Sequence, residues 1–180
     1  ISFLSCSGKL SRFAFTIDQR QIYEYSLPSS DKAIEKIQRL SVKPEIKKVK
    51  EGTTITGMFL ANDEKLNRYL YVLTNAVIQC YDIDKKGALR LKWTINEAYN
   101  PQENQQLCCV GTKGRLYVCR DKLVTVYVDD DAKNNITFEL IHSPSKMFWF
   151  RQYLVCLSPK GDDVFNMTIY EPSTFITFAS

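Results

Sequence analysis

The sequence predicts an all-β fold: a WD-repeat-like β-propeller, about four blades of an incomplete larger ring. Three observations predict it. The stretch Leu116-Tyr117-Val118-Cys119-Arg120-Asp121-Lys122-Leu123-Val124-Thr125-Val126-Tyr127 reads as two short strands joined by a tight turn at Asp121-Lys122. A near copy, Leu70 to Tyr81, lies 46 residues upstream, with Leu70, Tyr71, Val72 and Tyr81 matching Leu116, Tyr117, Val118 and Tyr127. That interval is about the length of one four-stranded blade. The same hairpin without the identities runs from Ala14 to Tyr25, and a looser copy runs from Tyr153 to Tyr170. A sandwich also supplies many short strands, but it does not require one hairpin to recur at a fixed interval.

The first unit, residues 1–52, opens with the apolar run Ile1 to Ser5 and a turn at Ser7-Gly8-Lys9. Phe13, Phe15 and Ile17 then alternate with Arg12, Ala14 and Thr16, the period of a strand. Gln21 to Leu27 is the second hairpin strand, ended by Pro28-Ser29-Ser30. Ile34, Ile37 and Leu40 at three-residue spacing suggest a short helical turn, which Pro44 stops. Glu45 to Lys50 reads as a weak edge strand, where lysines guard against edge-to-edge pairing.

The second unit, residues 53–96, places strands at Thr54 to Leu60, Tyr69 to Thr74, Val77 to Ile83 and Leu89 to Ile95. Gly57 suggests a bulge or a close backbone approach, Ala61 to Asn67 a polar loop, and Asn75 suits the hairpin turn. A polar connection with Asn100-Pro101 follows. The third unit, residues 105–142, has Leu107 to Val110, a turn at Gly111 to Gly114, the hairpin, an acidic loop and a strand from Ile136 to Ile141. The fourth, residues 145–180, has Met147 to Phe150, Tyr153 to Leu157, a loop at Ser158 to Asp163, Phe165 to Tyr170, and Thr174 to Phe178.

Composition fits an ordinary globular domain. Of 180 residues, 44% are hydrophobic and 24% charged; Tyr and Phe, at ten each, lean towards strands. No apolar run approaches the ~18 residues of a membrane span. The opening Ile1-Ser2-Phe3, without an initiating Met or a signal peptide, reads as part of a longer polypeptide. A net charge of +4 is too mild for a nucleic-acid-binding domain. The excess is local: residues 30–50 hold seven Lys or Arg against three acidic residues. Lys43, Lys47, Lys48 and Lys50 are therefore the candidate binding residues, for an acidic partner or anionic headgroups, where each lysine is worth about 1 kcal/mol. The competing reading is a solvated edge loop.

No catalytic constellation is present in the sequence. His142 stands alone beside Leu140 and Ile141, and a general base needs partners within reach. Asp129-Asp130-Asp131 and Asp162-Asp163 read as solvated turns, without the Gly that an EF-hand loop needs. Gly111-Thr112-Lys113-Gly114 lacks the spacing of a phosphate-binding loop. Six cysteines include no C-x-x-C pair and have one His between them, so no metal site is expected. Free buried thiols are expected instead, with one of Cys108 and Cys109 in the core and the other outside it, because adjacent strand residues take opposite faces. The sequons at Asn135 and Asn166 read as chance occurrences. No cofactor, small-molecule substrate or nucleic acid is expected.

Several stretches resemble the vacuolar protein sorting-associated protein eleven family. These are Thr56-Gly57-Met58-Phe59; Tyr71-Val72-Leu73-Thr74-Asn75-Ala76-Val77 leading to Tyr81; Phe148-Trp149-Phe150-Arg151-Gln152-Tyr153-Leu154-Val155; and Ile169-Tyr170-Glu171 with Phe175 to Ser180, similar to the family's last blade. They run in order over about residues 53–180, and residues 1–52 fit more loosely. The basic insert after Leu27 departs from the family's pattern. The resemblance implies an amino-terminal propeller followed elsewhere by an α-solenoid and a RING zinc domain. The RING's ubiquitin-ligase activity does not belong to these residues, so the chain is not read as an enzyme. It also implies a non-catalytic scaffold of the HOPS and CORVET tethering complexes. Its partners would be the other class C vacuolar sorting subunits, with peripheral contact on the cytosolic face of late endosome and lysosome or vacuole membranes. The same residues would also suit a propeller scaffold of a coat, ciliary-transport or nuclear-pore-type assembly.

Overall fold

The computed structural model describes residues 53–65, 67–84, 88–101, 106–127, 135–162 and 164–172, and the strand backbones at 3–7, 12–16, 21–26 and 45–48. Those residues form four antiparallel sheets in sequence order. The first contains β1 (Phe3–Ser7), β2 (Arg12–Thr16), β3 (Gln21–Ser26) and β4 (Glu45–Lys48). The second contains β5 (Ile55–Asn62), β6 (Arg68–Thr74), β7 (Ile78–Ile83) and β8 (Leu89–Ile95). The third contains β9 (Leu107–Val110), β10 (Leu116–Arg120), β11 (Leu123–Tyr127) and β12 (Ile136–Glu139), and the fourth β13 (Lys146–Phe150), β14 (Tyr153–Gly161) and β15 (Val164–Tyr170). Each sheet is a meander whose strands pair with their sequence neighbours. The first strands adjoin: β1 lies beside β5, β5 beside β9 and β9 beside β13. Meanders ranked side by side through their first strands are the blades of a propeller.

The recurring hairpin has one register in every sheet. Leu70 pairs with Tyr81, Leu116 with Tyr127 and Leu154 with Tyr170; Phe13 and Tyr25 hold the equivalent place in the first sheet. The three leucines are fully buried, and so, nearly, are their tyrosines. Both faces of the central strands are covered, so β6 is buried at every position from Tyr69 to Thr74 instead of alternating. Between the second and third sheets lie Tyr69, Tyr71, Leu73, Cys80, Leu116, Val118 and Tyr127. Between the third and fourth lie Tyr117, Cys119, Val124, Val126, Phe138, Met147, Leu154 and Tyr170. Trp93 sits between Tyr71 and Tyr127, at ring-centroid distances of 5.9 and 6.3 Å, and Tyr117 lies 4.9 Å from Trp149.

Tyrosine hydroxyls tie the third and fourth blades to the chain that enters them. Tyr127 donates to Glu97 Oε2 at 2.7 Å, on the segment arriving from the second sheet, and Arg120 closes on the same oxygen at 2.8 Å. Tyr170 accepts from the Ile141 N–H at 2.9 Å, on the segment arriving from the third. Tyr71 donates to the Gly114 carbonyl at 2.6 Å in a buried bond between neighbouring sheets.

Several boundaries differ from the sequence reading, each for a local reason. The first strand runs Phe3–Ser7, so Ser7 pairs with Arg12 instead of turning. β5 continues through Ala61 and Asn62, because they pair with Tyr69 and Arg68, and the loop shortens accordingly. Gly57 does mark a bulge, the register shifting between Ile55 and Gly57. Asn75 acts through its side chain, accepting from the Thr54 N–H at 3.0 Å, while Thr74 Oγ1 takes the Ala76 and Val77 amides. The last strand of the third sheet stops at Glu139; the Tyr170 hydroxyl takes Ile141 out of the ladder. Ser158 to Gly161, expected as loop, extend β14, pairing with Asn166, Phe165 and Val164 across a bulge at Pro159, where a missing N–H is tolerated. The expected helical turn within 31–40 and the strand at 174–178 lie outside the described residues.

The Gly111–Gly114 segment is a single 3₁₀ turn, Thr112–Gly114, and no phosphate-type helix follows it. Gly111 allows a close approach: a Cβ there would meet the Tyr117 ring at 2.6 Å and Trp149 at 3.0 Å. Gly114 takes φ +73 with the Asn62 backbone 3.2 Å from where a Cβ would stand.

Two stability predictions follow from this packing. Tyr127→Ala, in a polypeptide with the whole propeller, should cost roughly 3 kcal/mol or more. An unchanged thermal midpoint would show that the Leu116–Tyr127 register is wrong. Gly111→Ala should cost about 1–3 kcal/mol through overpacking, read as a lower urea midpoint at constant m-value; a neutral result would show that the Tyr117–Trp149 contact gives way freely.

Candidate interaction surface

Lys47 and Lys48 lie on β4, the edge strand of the first sheet, opposite Ile22 and Gln21 of β3. This is the edge position that the sequence suggested. Lys43 and Lys50 lie outside the described residues, as do Asp129-Asp130-Asp131 and Asp163. Two candidates thus lie on one edge strand.

Groups considered for chemistry fall elsewhere. His142 is exposed on the connector after β12, not on a strand. Asp162 is an exposed turn residue at the tip of the β14–β15 hairpin. Among the described residues, no group of three or more His, Cys, Asp or Glu could hold a metal ion, and no helix is long and apolar enough to cross a membrane.

Cys80, Cys108, Cys109, Cys119 and Cys156 are free thiols. Cys109 packs between the third and fourth sheets. Cys108 takes the opposite face as expected, yet packs against the cluster between the second and third. Cys109 is thus the core thiol, and Cys108 is half-buried at the margin of the other cluster, because this sheet has a neighbour on each side. Burial pushes Cys156 up to about 11 and Cys119 to about 12, and raises Cys108 and Cys109 as well. Thiols so protonated are poor nucleophiles and poor metal ligands. Burial also pushes the Tyr127 phenol up to about 12, with its bond to Glu97 in the same direction.

The exposed large side chains gather on the fourth sheet. Phe148 and Phe150 on β13 and Phe165, Met167 and Ile169 on β15 are 44–65% exposed. Arg151 turns the chain between β13 and β14 with φ 55, and its guanidinium lies 5.6 Å from the centre of the Phe150 ring. The sequence had marked this stretch through its Phe-Trp-Phe-Arg run, but not as a surface. An alternating strand gives no sign of which face has a neighbour.

A family model described as PEP5/VPS11 N-terminal matches residues 1–176. The chain belongs to this family. Its match includes the first sheet and the basic segment, beyond the part where the sequence motifs were clearest. No curated protein matches the chain significantly. Among solved structures, this PEP5/VPS11 N-terminal chain is similar to one in the crystal structure of the mitotic checkpoint complex, with TM-score 0.57 and 12% identity over 96% of this chain and 48% of that one. It is also similar to the β-propeller domain of Myceliophteria thermophila Cps50 (Swd1), with TM-score 0.55 and 11% identity over 89% and 47%. The chain spans about half the length of both. At such identity the likeness shows the fold alone, a β-propeller.

The thiol environments give a pH prediction. A thiol whose folded pKa lies above its unfolded value of 9.0 keeps its proton in the native state while the unfolded chain ionises. Stability is then full below pH 9 and falls as pH rises towards about 11 and 12. Alkaline denaturation should begin in that window and move to higher pH in Cys156→Ala at matched starting stability. An unmoved transition would remove this thiol from the alkaline limb.

Proposed function

We propose that the chain is a non-catalytic scaffold and protein-interaction module of a vesicle tethering complex acting in endosome-to-lysosome or vacuole transport and membrane fusion. The observation that carries this reading is the PEP5/VPS11 N-terminal match across residues 1–176. A stack of sheets that is buried between blades and open at its edges supports it, since such a body presents several surfaces at fixed spacing without needing a reactive group. Its partners are the other class C vacuolar sorting subunits of the HOPS and CORVET complexes. The module sits on the cytosolic face of late endosome and lysosome or vacuole membranes, held there through the complex.

Within that reading, Lys43, Lys47, Lys48 and Lys50 form the basic contact, with an acidic partner segment or anionic headgroups. The position of Lys47 and Lys48 on an edge strand supports it. The contact should weaken with salt, because exposed charges are screened beyond about 8–10 Å at physiological ionic strength.

The first test is isolation of the tagged full-length polypeptide from cells. Co-purification of class C subunits, lost when residues 1–176 are deleted, is the expected result; a full-length protein that brings none of them down ends the tethering assignment. Lys47→Glu with Lys48→Glu should leave the thermal midpoint unchanged and weaken binding to anionic liposomes or to purified subunits. Unaltered binding to both would remove the basic contact and leave the scaffold reading standing.

A further inference from the structure

Two Ser-Pro steps lie among the described residues, Ser143-Pro144 and Ser158-Pro159, and the fold treats them differently. Ser158 is 3% exposed and pairs with Asn166 inside β14. Ser143 lies on the connector from β12 to β13, outside any strand. Ile141 and His142 before it are exposed, as are Ser145 and Lys146 after it, while Pro144 is buried. The Ser143 hydroxyl donates to Asp121 Oδ1 in the β10–β11 turn, where Asp121 has φ 56. Main-chain bonds hold the connector on either side. The Leu140 N–H donates to the Lys122 carbonyl, and the Ser145 N–H to the Leu157 carbonyl, each at 2.8 Å. Ser143-Pro144-Ser145-Lys146 also sets a proline directly after the hydroxyl and a cation at the third place. Ser158-Pro159-Lys160-Gly161 has no cation there.

We propose that Ser143 is a phosphorylation site for a proline-directed serine kinase, and that the phosphate releases the connector from the β10–β11 turn. Proline after the acceptor suits a kinase groove that offers no hydrogen-bond acceptor at that place, because any other residue would leave its N–H unpartnered there. Lys146 supplies a charge that an acidic kinase pocket reads. The Ser143 oxygen attacks the γ-phosphorus of Mg-ATP, and the bond from that phosphorus to the β,γ-bridging oxygen breaks. ADP leaves, and the hydroxyl proton passes to the carboxylate base of the kinase. The esterified oxygen then has no hydrogen to give Asp121. About −1.5 to −2 of charge stands beside a carboxylate instead, an arrangement that disrupts by repulsion. Arg120, next to Asp121 in the chain, is held by Glu97 at 2.8 Å. Lys122 and Lys146 flank the site in sequence and offset part of the repulsion, but neither restores the lost bond. Because Pro144 is buried, the kinase takes the connector after a local opening of residues 141–145. The site depends on neither the tethering role nor the basic edge, so each can fail without the other.

The test treats the isolated full-length polypeptide with a purified proline-directed kinase and Mg-ATP, and maps phosphate by mass spectrometry. A peptide of residues 138–149 serves as the unfolded reference. The native protein should take phosphate on Ser143 and not on Ser158, more slowly than the peptide, as for a site that opens before it reacts. Lys146→Ala should slow both substrates at least roughly fivefold, as for a lost hydrogen bond to a charged group; an unchanged rate overturns the kinase class. A phosphorylated peptide beside an unmodified native protein overturns the site. Ser158 labelled as fast as Ser143 also overturns it, since the kinase is then reading unfolded chain. Release is read by amide exchange at Leu140 in the phosphorylated protein and in Ser143→Ala. Both lack the bond to Asp121, and only the first carries the charge. Faster exchange in the phosphorylated protein supports release by repulsion, and equal exchange overturns it.

Discussion

Burial of both faces of every middle sheet is the constraint on which this structure depends. A sheet in a sandwich satisfies one apolar face and leaves the other to solvent, and its strands alternate accordingly. Here Leu70, Tyr71, Val72 and Leu73 are consecutive and all buried, which works only when another sheet lies on each side. The Leu–Tyr pair then becomes a fixed coordinate. The leucine fills the space against the preceding sheet, the next residue faces the following one, and in the third and fourth sheets the tyrosine opposite the leucine meets the arriving connector through its hydroxyl. A large aromatic ring supplies much of the buried area, and a polar tip that finds a partner avoids the cost of a buried orphan group.

Much of this was legible because the repeat is carried by large residues at fixed places. The identities from Leu70 to Tyr81 and from Leu116 to Tyr127 gave the hairpin, its turn and its interval. Strands β8 and β9 fell where their apolar runs lie. What the sequence hid depends on contacts between distant parts. The end of β12 is decided by the Tyr170 hydroxyl, 29 residues downstream of Ile141. The length of β14 is decided by pairing across a bulge at Pro159, within the stretch expected as loop. The packing of Cys108 against the second sheet depends on a neighbour that strand periodicity cannot report. Of the candidate surface, the lysine run could be read as charge and the edge strand as pattern. The open apolar face could not, since Phe148 and Ile169 look like core residues in any strand.

The structure and the family assign different things. Sheets, register and clusters establish a propeller, and propellers serve many unrelated tasks. The PEP5/VPS11 N-terminal match narrows the family without pointing to a reactive residue. Tyr71, Trp93, Tyr117, Tyr127 and Trp149 pack at the seams and hold blades together.

The two tyrosine latches place different demands on future sequence change. Tyr170 grips the main-chain amide of Ile141, and every residue but proline offers that donor. Position 141 is thus free to drift, apart from proline, with no change elsewhere. Tyr127 grips the carboxylate of Glu97, which Arg120 also holds. Loss of the acid would strand a phenol and a guanidinium together, so positions 97, 120 and 127 are expected to change as a set across relatives, while 141 and 170 vary independently.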